Sequence, residues 1–169
     1  MSRAFTRETD DAPERPVAPR PAPPLPPGAV NYLTANGEQR LRTELKRLLE
    51  MERPRLAAPP VNPESQRQLQ TLDQRIHYLQ QSLHSAVVVP PPTGPEDRVR
   101  FGATVTVRDH EGECDYRIVG VDETDPSQGW VSWLSPIARA LQNTRRGDRV
   151  RLQGPGGERE LEIVRVRYE

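Results

Sequence analysis

Apolar and polar positions follow two different rhythms along the chain. Leucines at 41, 45, 48 and 49 come after Thr34 and the run Ala35-Asn36-Gly37-Glu38, at three- and four-residue steps that gather side chains on one helical face. Thr34 has the hydroxyl that caps a first turn, so this pattern predicts a helix from about residue 35 into the fifties. Pro54 has no amide hydrogen and its ring would meet the carbonyl of Glu50, so the helix bends there or ends nearby. Residues 59–63 hold three prolines and read as a turn.

A second stripe of Leu69, Leu72, Ile76, Leu79 and Leu83 alternates steps of three and four and predicts a helix over about 64–86. Folding the chain about a centre near residue 60 brings Leu41 opposite Leu79 and Leu83, Leu45 near Ile76, and Leu48 near Leu72. Matched stripes on both arms predict an antiparallel hairpin of the coiled-coil type.

Beyond residue 98 the rhythm shortens to two. Segments 103–108, 115–121, 130–134, 149–153 and 160–167 are short, alternating or β-branched, and bounded by Gly, Asp and Pro, which predicts an antiparallel sheet of about five strands. Ser135-Pro136 places a cap before a proline at the first helical position. Ile137, Ala138, Ala140 and Leu141 follow on one face, so one short helix is expected to end before Gly147. The expected class is α+β. Its divisions are a disordered proline-rich extension over 1–29, the hairpin over 30–89, a proline linker over 90–97 and the sheet domain over 98–169.

Composition sharpens this division. Of 19 prolines, eight fall before residue 30, among scattered charge and few large apolar side chains, too little to offset ordering entropy. The 24 basic and 24 acidic residues cancel, so no single-signed field draws the chain to bare nucleic acid or anionic lipid. A lone Cys114 excludes an internal disulfide and fits a reducing compartment, and no stretch has the length or apolarity of a membrane span or signal peptide. A cytoplasmic protein that touches no membrane is expected.

An enzyme would have to be built on His77, His84, His110, Cys114 and neighbouring acids. His77 and His84 share a helical face seven residues apart, too far for one metal, and read as solvent-facing. The run His110-Glu111-Gly112-Glu113-Cys114-Asp115 reads as a hairpin turn with a Glu-Gly centre and lacks a base, nucleophile and orienting group together. Trp130 and Trp133, three apart on a strand, point to opposite faces and line no common pocket. Arg40, Arg42, Glu44 and Lys46 read as a solvated face with i,i+4 pairing. No catalytic residue, cofactor or metal is expected.

Ser135-Pro136-Ile137-Ala138-Arg139-Ala140-Leu141, then Gly147-Asp148, Pro155-Gly156-Gly157 and a last alternating strand to Tyr168 closely resemble the C-terminal domain of GreA/GreB transcription elongation factors. Phe101-Gly102-Ala103 and Arg117-Ile118-Val119-Gly120 match that domain's opening strands, and with the leucine hairpin the resemblance runs from about Tyr32 to the end. It implies an FKBP-like sheet domain that holds the rim of RNA polymerase's secondary channel through Ser135, Pro136, Ile137, Ala138 and Arg139. It also implies a hairpin that enters the channel. Nucleic acid is then met only through the transcription complex.

Two departures alter the expected function. Leu134 stands where the family usually has Asp or Asn. At the hairpin tip, where cleavage factors of the family carry paired carboxylates for the polymerase's magnesium, this chain has Leu56-Ala57-Ala58-Pro59-Pro60-Val61-Asn62-Pro63, with Glu64 the nearest acid. Mg²⁺ favours carboxylate oxygen, and Pro59, Pro60 and Asn62 supply none. The arms are also shorter than the family's by about six residues each, which withdraws the tip by on the order of 10 Å at ~1.5 Å per residue. The expectation is a regulator that occupies the channel without stimulating transcript cleavage. The alternative is a generic coiled-coil and FKBP-like interaction module with no polymerase link.

Overall fold

The computed structural model describes residues 25–169, so most of the proline-rich extension expected over 1–29 lies outside the described residues. A short strand, β1 (Asn31–Thr34), leads directly into helix α1 (Ala35–Arg47). The Thr34 hydroxyl caps α1, accepting a hydrogen bond from the Gly37 amide at 2.9 Å.

The first helix does not run straight into the fifties. Residues Leu48–Glu52 form a π-helical turn, in which the Arg53 amide bonds the Leu48 carbonyl, and helix α2 (Arg53–Ala57) resumes beyond it. The physical reason is Pro54. It sits in the first turn of α2, where a missing amide hydrogen costs nothing, and the π turn absorbs the change of register.

Helix α3 (Pro63–Ser85) starts at a capping box, in which Asn62 accepts from the Ser65 amide at 2.7 Å and the Ser65 hydroxyl accepts from the Asn62 amide at 2.9 Å. Glu44 pairs with Arg75 and Arg53 with Asp73, so partner numbers fall as residue numbers rise and the helices run in opposite directions. Leu41, Leu48, Ile76 and Leu79 are buried between them with Leu33, and Leu45, Leu72 and Leu83 pack against this cluster. Strand β2 (Ala86–Val89) then returns beside β1 as a two-stranded parallel ribbon, an element the sequence pattern had not revealed.

The second unit is a five-stranded sheet of β3 (Ala103–Asp109), β4 (Gly112–Val119), β5 (Trp130–Ser132), β6 (Arg149–Gly154) and β7 (Gly157–Tyr168), in the order β5-β4-β3-β7-β6. It is not wholly antiparallel, since β5 pairs with β4 in parallel. Two short 3₁₀ turns, Val121–Glu123 and Pro126–Gln128, carry the chain back so that β5 re-enters in the direction of β4. The β3–β4 turn centres on His110-Glu111 rather than Glu-Gly, with Gly112 at φ 135° where a side chain would be strained.

Helix α4 (Pro136–Leu141) covers one face, and Asn143 behind it adopts the left-handed conformation that closes helices. Val99, Ala103, Val105, Val107, Ile118, Ala138, Leu141, Leu161 and Ile163 form the core beneath it.

Candidate functional site

The residues singled out by sequence fall into two separate groups. Ser135 is the N-cap of α4: its hydroxyl accepts from the Ala138 amide at 3.3 Å, and its own amide donates to the Ser132 carbonyl at 2.9 Å. Pro136 and Arg139 are exposed, Ile137 is half-buried against the sheet core, and Ala138 is fully buried. A proline and an arginine are thus presented outward from a turn anchored by a buried alanine and a capped helix. Leu134 is half-buried, its amide donating to the Ser132 hydroxyl at 3.1 Å.

Pro59, Pro60, Asn62 and Glu64 form the second group, all exposed at the connection between α2 and α3. The Asn62 side chain is occupied in starting α3, and Glu64 receives a long hydrogen bond from Gln68 at 3.4 Å. The next acids along both arms are ion-paired: Glu52 with Arg55 at 2.7 Å and Arg47 at 3.0 Å, and Asp73 with Arg53 at 2.8 Å. From Glu64 to Tyr78, where α3 meets the sheet domain, the helix climbs roughly 20 Å at ~1.5 Å per residue. The tip and the Ser135 loop therefore lie in different parts of the molecule.

What joins the two units had no signal in the sequence pattern. Glu123, only 3% exposed, receives the Thr34 amide at 2.9 Å, the Gly120 amide at 3.0 Å and the Thr34 hydroxyl. The Asp122 carboxylate receives the hydroxyls of Tyr78 and, at 2.5 Å, Ser82. Burial first, then the bond to Asp122, pushes the Tyr78 phenol far above its ordinary range. Asn31 donates to the Ser82 carbonyl at 3.0 Å and hydroxyl at 3.1 Å.

The tryptophans do not share a pocket. The guanidinium groups of Arg40 and Arg117 lie over the Trp130 ring at 4.6 and 5.1 Å, while Trp133 meets the Tyr32 ring edge-on at 5.1 Å. Arg40 is thus part of the junction rather than of a purely solvated face. Arg42 does pair with Glu38 one turn away, and His77, His84 and His110 are all exposed. No described helix is long and apolar enough to cross a membrane.

Residues 94–168 match the family model described as transcription elongation factor, GreA/GreB, C-terminal domain. The GreA elongation factor of Alkalilimnicola ehrlichii is 43% identical over 152 residues, covering 80% of this chain and 96% of that protein. The chain belongs to the GreA/GreB family. The GreB factor of Neisseria meningitidis serogroup B is 40% identical, over 82% of this chain and 94% of its own. Among solved structures, a GreA/GreB elongation factor from Nitrosomonas europaea matches with 25% identity and a TM-score of 0.41, over 81% of this chain and 98% of its own. The GreA factor homolog 1 of Thermus thermophilus matches with 22% identity and a TM-score of 0.39, over 82% and 99%. Within this GreA/GreB chain, the matched family region contains the whole five-stranded sheet, α4 and the Ser135 loop.

Proposed function

We propose that this GreA/GreB-family protein docks on the rim of the RNA polymerase secondary channel through Ser135, Pro136, Ile137, Ala138 and Arg139. Its helical hairpin then enters the channel without stimulating transcript cleavage, so that it modulates elongation or competes with other channel factors. It acts as a monomer and is not itself an enzyme.

The observation that carries this reading is the tip. A proline-rich turn stands where cleavage factors need paired carboxylates, and Glu52 and Asp73 on the flanking arms are already engaged by arginines. A carboxylate held in an arginine pair has weakened capacity to take a hard divalent cation. The anchored Ser135 loop supports retained docking, because its outward-facing Pro136 and Arg139 rest on a capped, buried base.

The test is a transcript-cleavage assay on backtracked polymerase complexes, with this protein alone and then in competition with an active Gre factor. The expected result is no cleavage alone and suppressed cleavage in the mixture. Cleavage alone would overturn the reading of the tip. Unchanged cleavage in the mixture would overturn channel occupancy and favour an interaction module unconnected with polymerase.

A further inference from the structure

Strand β5 leads straight into the Ser135 loop, and it is a weak element on its own. It has three residues, lies at the sheet edge, and pairs with β4 at Arg117–Trp130, Ile118–Val131 and Val119–Ser132, with Trp130 also bridged to Asp125. A tryptophan stands at each end of it, and each is touched by a residue from the hairpin side of the molecule. Arg40 of α1 lies over Trp130 at 4.6 Å, and Tyr32 of β1 packs edge-on against Trp133 at 5.1 Å.

Trp133 is the residue from which the loop departs. Its amide donates to the Val119 carbonyl at 2.9 Å, and two residues later the Ser135 amide turns back to the Ser132 carbonyl. The indole N–H of Trp133 is buried with no acceptor among the described residues, and the ring is held by packing. That packing comes from the sheet core and from Tyr32, which also lies 5.6 Å from the Phe101 ring. Tyr32 is itself held close, since its carbonyl would be 2.2 Å from a side-chain carbon at Gly120, leaving room there only for glycine.

We infer that Tyr32 and Arg40 are positioning residues for the docking loop: the base of the hairpin clamps both ends of β5 and thereby sets the geometry in which Ser135 to Arg139 meet a partner. The inference rests on the docking role proposed above. It makes the strength of docking depend on residues that do not belong to the docking surface. The hairpin is then not only the part that enters the channel but also the brace of the part that holds the rim.

The test uses the full chain and the variants Tyr32→Ala, Tyr32→Phe and Arg40→Ala, with Val87→Ala as a control at an exposed position of the same ribbon. Two quantities are measured: affinity for core RNA polymerase, and amide exchange of residues 132–138 in the free protein. An edge-on aromatic pair and a partly exposed cation–π contact correspond to losses of roughly twofold to tenfold each in affinity. Tyr32→Phe, which keeps the ring, restores wild-type affinity, and Val87→Ala leaves it unchanged. Exchange at 132–138 accelerates in Tyr32→Ala while β3 and β7 stay protected, a pattern that general destabilisation would not give. Unchanged exchange at 132–138, or wild-type affinity in Tyr32→Ala, would overturn the inference. A wild-type protein that fails to bind polymerase would overturn the docking role instead, and exchange would still decide whether Tyr32 orders the loop.

Discussion

The carboxylate of Glu123, in the 3₁₀ turn after β4, completes the capping of α1 by bonding both the amide and the hydroxyl of Thr34, 89 residues earlier in the chain. Thr34 passes the contact on, since its hydroxyl donates to Glu123 while accepting from Gly37. A buried carboxyl group thus rests against the amide end of a helix, whose unpaired N–H groups require an acceptor.

Glu123→Ala is expected to destabilise the protein by about 2–4 kcal/mol, because it strands the buried amides of Thr34 and Gly120 without an acceptor. Denaturant unfolding checks this. A loss below about 1 kcal/mol would mean that water replaces the carboxylate and that the joint is not closed.

Gly37 sits in the first turn of α1, where alanine ordinarily gains about 1 kcal/mol in helix propensity. Here Gly37→Ala is expected to be destabilising, because the added carbon would lie 2.0 Å from the Glu123 carboxylate oxygen. The sign of the change in unfolding midpoint separates the two effects.

Tyr78, whose phenol pKa is raised as are those of Tyr116 and Tyr168, is expected to contribute to the alkaline limb of stability. Its folded-state proton is held more tightly than in the unfolded chain, where tyrosine titrates near 10.0. The resulting stabilisation is intact below about pH 10 and is lost as pH rises toward the raised folded value. Tyr78→Phe is expected to make stability fall less steeply above pH 10. Parallel unfolding curves for the two proteins at pH 9 and pH 11 would contradict this.

On the function proposed above, placing acids at the tip is not expected to produce cleavage. In the variant Pro59→Asp with Pro60→Glu, the expected outcome is background cleavage on backtracked complexes, since the shortening proposed for the arms, on the order of 10 Å, would leave its carboxylates short of the metal. Robust cleavage by this variant would show that the arms reach far enough and that tip chemistry alone distinguishes the protein.

Elements governed by neighbours in sequence were legible without the fold. Thr34 and Ser135 cap their helices through amides three residues away, and such contacts follow from local spacing. Leu41, Leu45 and Leu48 of one arm meet Leu72, Ile76, Leu79 and Leu83 of the other in one cluster because their three-and-four spacing put them on one face of each helix, while Leu49, also placed in the stripe, stays exposed. The π turn was only half legible: Pro54 announced a disturbance, but whether the chain would break, bend or widen by one residue depended on keeping Leu48 buried.

The parallel entry of β5, the ribbon of β1 and β2, and the roles of Glu123, Asp122, Tyr32 and Arg40 were not legible. Each is a contact between segments far apart in the chain, and no local pattern distinguishes a buried glutamate that caps a distant helix from an exposed one. The sequence by itself determined the capped starts of the helices, the apolar stripes of the two arms, the alternating segments of the five-stranded sheet, the chemistry of the tip, and the loop motif that resembles the GreA/GreB domain. Only the tertiary structure decided how the two units are joined, because burial converts ordinary polar and aromatic side chains into specific partners, and burial is a property of the assembled molecule.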